Sequence, residues 1–160
     1  MSESTVVTEA TSTELVATGN TVRDEIATLA SGANTVMSTF KGESLAAKRA
    51  LLAAKMNSTP LADHVDKPIN LANVVVEAVE IADEKTAEVT TQPRITLVDV
   101  DGNAFHTISP VIFKDIQDIL AIMGQPDTWK DEKGTFSPLP VKMVKVKGKV
   151  GQFFTLKLAL

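Results

Sequence analysis

The residues whose types and spacing could do chemistry are concentrated near the end of the chain, in the 27 residues from Gly134 to Leu160. This stretch carries five lysines and no Asp or Glu, and it includes the adjacent pair Phe153 and Phe154. Lysine ammonium groups along a groove attract phosphates, and flat aromatic rings give bases a surface on which to stack. The stretch therefore predicts a local surface that faces phosphate. The alternative explanation is that these lysines only keep the edge of a sheet soluble.

The rest of the chain is acidic. Residues 1–133 hold 11 Lys and Arg against 20 Asp and Glu, a net of −9, whereas residues 134–160 contribute +5. Attraction to phosphate is decided by the field of one face rather than by total charge. The net charge of −4 therefore argues only weakly against nucleic acid. The same separation of charge would also support a head-to-tail contact between protein molecules.

Catalytic and metal-binding chemistry is poorly supplied. The chain has no Cys and no Tyr, and its two histidines, His64 and His106, have no spacing that suggests a metal pair. Asp99 and Asp101 flank a tight turn, which explains them better than a metal site does. Neither of the glycine-rich phosphate-loop patterns, GxGxxG and GxxxxGK[ST], occurs. The sequence predicts a protein that is not an enzyme and that needs no cofactor or metal.

Length and composition fit one domain with an appendage, since the chain has 160 residues of which 44% are hydrophobic. The absence of Cys excludes disulfides and fits a cytoplasmic protein. No apolar run approaches the ~18 residues of a membrane span, and the N-terminus lacks the pattern of a secretory signal. We therefore expect no membrane partner.

The first 60 residues predict a tail and a helical arm. Residues 1–18 are rich in Ser and Thr, which predicts disorder. Val22, Ile26 and Leu29 follow helical spacing, and a second, alanine-rich helix is predicted to start near Ser44. The large apolar residues on one face of this second helix are Leu45, Leu52 and Met56. We predict a disordered tail over 1–18, a helical arm over 19–60 and a barrel domain over 61–160.

From Ile69 onward the pattern predicts three strands, one helix and two strands. The helix is expected to start after Ser109 and to end at Gly124. Residues 83–93 are expected to form a loop, and Asp101-Gly102 a hairpin turn. The predicted strands are Ile69–Ile81, Arg94–Val100, Ala104–Ser109, Pro140–Lys147 and Gln152–Leu160. This order is that of a five-stranded OB-fold barrel with a helix between strands three and four, so the fold is predicted to be mainly β.

Several side chains on these elements could contact a nucleic-acid strand. Alternation along the last strand places Phe153 and Lys157 on the face opposite Leu156. Arg94 opens strand two, where a guanidinium could pair with phosphate or stack on a base. The candidate nucleic-acid-binding residues are Arg94, Phe105, His106, Trp129, Lys142, Lys145, Lys147, Lys149, Phe153 and Lys157.

Two details of this set can be interpreted further. Trp129 could be a stacking platform or a plug that packs its long loop against the barrel, and the plug is favoured. The lysine spacing along strand four changes from three, between Lys142 and Lys145, to two, between Lys145 and Lys147. That change predicts a twist or bulge near Val144.

The segment from Leu45 to Leu160 resembles the single-stranded DNA-binding proteins of bacteriophages, particularly phages of Gram-positive bacteria. The motifs that carry the resemblance are PRITLVDVDG, Ser–x–x–Ile–Phe before the helix, and Gly–x–Pro–x–x–Trp after it. The resemblance implies a protein that coats DNA exposed during phage replication. The chain departs from the family at Phe105, where Tyr is expected. It also lacks the acidic C-terminal tail of many bacterial single-strand binding proteins.

Residues and resemblance together predict sequence-independent binding of single-stranded DNA in the host cytoplasm, in support of phage DNA replication or recombination. Phage replication proteins are expected as further partners. Homo-oligomers, cooperative arrays on DNA, and RNA binding stay open. The rival prediction is a structural or regulatory phage protein that uses a small β-barrel as a protein–protein interaction module.

Overall fold

Seven strands and two α-helices are found in residues 35–160, the part of the chain that the computed structural model describes. The strands are β1 (Thr35–Ser38), β2 (Thr59–Pro60), β3 (Ile69–Ala82), β4 (Val89–Asp99), β5 (Ala104–Thr107), β6 (Leu139–Lys147) and β7 (Gln152–Leu158). The helices are α1 (Leu45–Met56) and α2 (Pro110–Met123), with short 3-10 turns at Leu61–His64 and Pro126–Thr128. The helix predicted around Val22 lies outside the described residues. Neither of the two described helices is long and apolar enough to cross a membrane.

All the strands belong to one curled sheet. Six follow the order β2-β5-β4-β3-β6-β7, and β1 pairs with β3 off this path. The β3–β4 pair is the longest and runs from Leu71 opposite Asp99 to Ala82 opposite Val89. The predicted succession of three strands, one helix and two strands is confirmed. The architecture is nevertheless mixed α/β, and within residues 35–160 the sheet is a half-barrel, because β5 pairs with β2 and not with β7.

The core lies on one side of this sheet. Successive side chains of a strand point to opposite faces. Every second side chain of β3 and β4 therefore faces the core, and the side chains between them form the outer face of the sheet. Helix α2 packs over the core from the open side of the sheet. The buried residues that β3, β4 and α2 contribute include Val74, Val76, Ile95, Leu97, Ile112, Phe113 and Ile116.

The ends of α2 follow the predicted signals. The Ser109 side chain accepts a hydrogen bond from Ile112 N at 3.3 Å, and Pro110 occupies the first turn. Gly124 follows the helix with φ +76°, a conformation that favours glycine. Asp115 of α2 then fastens the helix to the edge of β7, since its Oδ2 accepts hydrogen bonds from Thr155 Oγ1 (2.7 Å) and Leu156 N (2.8 Å).

Strand β4 begins at Val89, so the prediction of a loop through Pro93 is wrong for residues 89–93. Two consecutive threonines, Thr90 and Thr91, favour extended backbone. Pro93 is tolerated opposite Ala78 because β5 pairs only with residues 95–98 of β4. The neighbouring edge is therefore unpaired, which is where strands accept proline.

The chain before α1 contributes a strand that the sequence did not predict. β1 adds to the edge of β3, with Ser38 opposite Val75. Thr39 continues this contact, because its N donates to Val74 O (3.0 Å) and its Oγ1 accepts from Val74 N (2.8 Å). Its hydroxyl also donates to Asn73 Oδ1 at 2.9 Å. Helix α1 starts after Ser44 as predicted, with the Ser44 hydroxyl capping it.

Candidate nucleic-acid interface

The basic stretch folds into the hairpin of β6 and β7. Its register runs without interruption from Val141 opposite Leu158 to Lys147 opposite Gln152. The bulge predicted near Val144 is therefore wrong. The change in lysine spacing instead marks a change of face, since an odd step along a strand moves a side chain to the other side of the sheet.

The lysines of the hairpin consequently divide between two faces. The outer face of the hairpin consists of Lys142, Val144, Val146, Phe153, Thr155 and Lys157. The inner face continues the core side of the sheet and consists of Val141, Met143, Lys145, Lys147, Phe154 and Leu156. Met143 and Leu156 are buried, whereas Lys145 and Lys147 are exposed where the hairpin extends beyond the core. Lys149 is exposed in the turn between the strands.

The outer face carries a pair of like charges and an aromatic ring. Lys142 and Lys157 lie directly opposite each other. Neither forms an ion pair with any residue in the described range 35–160. Phe153 is 41% exposed, and it is separated from Lys157 by about 13 Å along β7, at ~3.3 Å per residue. Cations and an accessible aromatic ring therefore share one face, as the alternation predicted.

The turn helps to position the Phe153 ring. A Cβ at Gly148 would lie 3.1 Å from Phe153 Cε1, so the glycine leaves space for the ring to lie against the turn. Gly148 N donates to Gly151 O at 2.6 Å, which closes the turn. On the inner face, Lys145 Nζ lies 5.8 Å from the centroid of the Phe154 ring. At this distance the exposed Lys145 makes a cation–π contact with its cross-strand partner.

Arg94 and His106 lie on the outer face of the sheet, beside Ser58, the second residue after α1. Arg94 Nη2 donates to Ser58 Oγ at 3.1 Å, and Ser58 Oγ lies 2.9 Å from His106 Nδ1. Burial lowers the pKa of His106 below its usual 6.5, and the nearby Arg94 guanidinium lowers it further. Ser58 was not predicted as part of any site. It comes next to His106 only through folding across 48 residues, which no local pattern reports.

Two of the predicted stacking residues are buried. Phe105 is 8% exposed, and its ring centroid lies 4.3 Å from that of His64. Trp129 is 4% exposed, and its indole N–H lies 3.1 Å from the carbonyl oxygens of both Met123 and Gly124. The Trp129 ring thus packs as a plug. Neither ring offers a free surface to a base in this structure.

A second exposed aromatic ring was missed. Phe136 is 43% exposed in the loop between α2 and β6, where it forms an isolated bridge with Lys130. The ring lines a cleft of about 300 Å³ together with Phe40 and Lys41. No sequence signal distinguishes Phe136 from a core phenylalanine, because it follows a turn rather than an alternating strand.

This arrangement defines residues 35–160 as a small mixed α/β domain whose β6–β7 hairpin presents cations and an accessible aromatic ring, the elements that a binding surface for single strands combines. Comparison with protein families then identifies it. Residues 30–159 match the phi29 phage single-stranded DNA-binding protein family, and the chain belongs to that family. No curated protein and no solved structure matches it. The resemblance seen in the sequence is confirmed, and single-stranded DNA is the ligand that the family implies.

Proposed function

We propose that the chain binds single-stranded DNA without sequence preference through the outer face of the β6–β7 hairpin, in support of phage DNA replication or recombination. The observation that carries this proposal is the cross-strand pair of Lys142 and Lys157, which form no ion pair within residues 35–160 and lie on the same face as the exposed ring of Phe153. The two ammonium groups bind phosphate, and the ring stacks on a base.

The lysine pair is suited to an anion. Like charges directly opposite each other on neighbouring strands destabilise a sheet, and a phosphate between them would remove the repulsion. Lys149 in the turn and Lys147 on the inner face add positive field near the same hairpin. Because the contacts are to phosphate and to the face of a base, rather than to base edges, they carry little sequence information.

The fold fits this use. The long β3 pairs with both β4 and β6, and α2 stands between β5 and β6. We interpret this as an OB-type barrel left open between its third and fifth strands. A binding protein of this kind needs no catalytic group, cofactor or metal, and it acts in the host cytoplasm. The division into a tail, an arm and a barrel at residues 18 and 60 stays a prediction, as do phage replication proteins as partners.

A titration tests the function. Fluorescent oligo(dT) of about 30 nucleotides exceeds the ~4–16 nucleotides that one such barrel covers, so the wild-type protein is titrated with it and with duplex DNA and RNA of equal length. We expect tight binding to the DNA single strand and weaker binding to duplex. Affinity should fall steeply between about 50 mM and 200 mM salt. Absence of binding to oligo(dT) at the lower salt concentration would contradict the proposal.

The lysine pair is tested by the salt dependence. Each phosphate contact on a single strand contributes about −0.7 to the slope of log K against log salt. The Lys142→Gln variant should therefore reduce the magnitude of the slope by about 0.7. Lys85→Gln is the matched control, because Lys85 is exposed in the turn between β3 and β4. A slope unchanged by Lys142→Gln would remove Lys142 from the interface.

A further inference from the structure

Helix α1 covers part of the outer face of the sheet. Ala54, the buried residue of α1, belongs to one buried cluster with Val98 of β4 and Ala104 of β5, and Phe40 packs against this cluster. Ser58, just beyond the helix, contacts Arg94 and His106 on the same two strands. The helix therefore lies on the side of β4 and β5 opposite the core.

The covered surface is where a barrel of this topology binds its ligand. In OB-folds, oligonucleotides bind to the face formed by the second and third strands and to the loops beside it. β4 and β5 are the second and third strands in this order. Their outer face and the outer face of the hairpin lie on one side of the sheet, since Val98 and Lys142 both point away from the core that Leu97 and Val141 enter.

The contact between α1 and the sheet buries little apolar surface, so we expect it to be weak. The only fully buried side chain of the helix is that of Ala54, and the area that an alanine side chain removes from water is small. One of its four large apolar residues, Leu51, is half-buried. The other three, Leu45, Leu52 and Met56, are each more than half exposed. The sequence placed these three on one face correctly, but that face points to solvent. The ion pair from Lys55 Nζ to Glu77 Oε2, at 3.5 Å, adds one polar contact.

Polar atoms beneath the helix also lack partners. Glu77 and Thr96 are buried polar residues of β3 and β4, and Arg94 lies beside them. Among the described residues, Glu77 Oε1, Arg94 Nε and Thr96 Oγ1 are buried without a hydrogen-bond partner. A buried polar group without a partner costs free energy, so the covered state is disfavoured at this point. Exposure of the surface would return these atoms to water or to a ligand.

We propose that α1 is a displaceable cover, and that single-stranded DNA, when it binds, moves α1 away and continues from the hairpin onto the outer face of β4 and β5. Arg94, released from Ser58, then meets a phosphate. The inference rests on the proposed function, because it needs a DNA strand already held at the hairpin. Once α1 has moved, Arg94 and His106, two of the residues predicted to bind nucleic acid, would be accessible to DNA. In the covered state both contact Ser58 instead.

A reversible crosslink tests the cover. The chain has no Cys, so an Ala54→Cys/Ala104→Cys variant contains a single thiol pair between two residues of one buried cluster, and formation of the disulfide is checked by thiol titration. We expect oxidised protein to bind oligo(dT) at least about tenfold more weakly than the same protein after reduction. The Ala54→Cys single variant, treated with the same oxidant, should show no change. Equal affinity of the oxidised and reduced double variants would overturn the inference while leaving the proposed function intact.

Hydrogen exchange on the wild-type protein gives an answer that does not depend on the variants. If DNA displaces α1, amides of the last turns of the helix, from Ala50 to Met56, should exchange faster when oligo(dT) is bound. Exchange that is unchanged or slower would overturn the inference. Failure of the wild-type protein to bind oligo(dT) at all would overturn the proposed function and this inference together.

Discussion

Lys142 on β6 and Lys157 on β7 are cross-strand partners, and neither forms an ion pair with any residue in the range 35–160. Directly opposed side chains on one face lie about 4.5–5.5 Å apart at Cβ. The two ammonium groups therefore repel each other in the free protein. An acidic residue at one of these positions would replace the repulsion with attraction, and a phosphate between the two lysines, as proposed above, would also remove it.

Lys157→Glu should separate stability from binding. The change converts the repulsive pair into an attractive one, which we expect to raise the free energy of unfolding by about 0.2–1 kcal/mol. The same change should weaken binding to oligo(dT), because it removes one phosphate contact and adds a negative charge. Urea denaturation and a fluorescence titration measure the two effects. Lys85→Glu, which alters net charge equally on an exposed turn, is the control; an equal loss of affinity there would mean that only net charge matters.

Phe153→Ala should reduce the free energy of binding to oligo(dT) by about 1–3 kcal/mol, the usual contribution of one stacked base. Phe153→Tyr should keep most of the affinity, since it retains the ring. Phe136→Ala is a matched control, because Phe136 is 43% exposed, close to the 41% of Phe153, but lies in another loop. If the two alanine variants lose the same affinity, the hairpin is not the stacking surface.

The order of elements could be predicted because its signals are local. Ser109 and Gly124 delimit α2 within a few residues of the helix they cap, and alternation alone placed Phe153 and Lys157 on one face. The β1 strand could not be predicted in the same way. Its partners in β3 are distant in sequence, and the hydrogen bond between Thr39 and Asn73 joins residues separated by 34 positions. The four residues of β1, Thr35–Ser38, are too few to predict a strand when the partner strand is not known.

The candidate site was predictable in composition but not in geometry. The lysines and Phe153 were identified from charge and alternation. The burial of Phe105 depends on a residue distant in sequence, His64, which packs against its ring. The Trp129 plug, which the sequence favoured, is instead fixed locally by the carbonyls of Met123 and Gly124. The position of Arg94 beneath the chain that follows α1 depends in turn on a helix that docks through Ala54, a residue with no sequence signal for burial.

Trp129→Phe should destabilise the protein without weakening DNA binding. The substitution keeps an apolar ring but removes the N–H that lies 3.1 Å from the carbonyl oxygens of Met123 and Gly124. Loss of a partner for these carbonyls at the end of α2 should cost about 1–3 kcal/mol. Urea denaturation followed by circular dichroism is the measurement, since the variant lacks the chain's only Trp. Lower affinity at unchanged stability would instead indicate that Trp129 stacks on a base.

His106 should make the folded state less stable in mild acid. Burial, and then the Arg94 guanidinium, lower the pKa of His106 below 6.5 in the folded protein. As the pH falls below about 6.5, the unfolded chain takes up a proton that the folded chain does not, so the free energy of unfolding decreases. Well above that pH both states carry a neutral ring and His106 contributes nothing to the pH dependence.

His106→Gln isolates this contribution, because glutamine keeps a polar group near Ser58 but does not titrate. The free energy of unfolding of both proteins is measured by urea denaturation from about pH 7.5 to about pH 5.5. Carboxylates contribute equally to both curves, so only the difference between them reports on His106. The wild-type protein should lose more stability than the variant across this range. Parallel curves would mean that the His106 ring accepts its proton as readily beside Arg94 as in the unfolded chain.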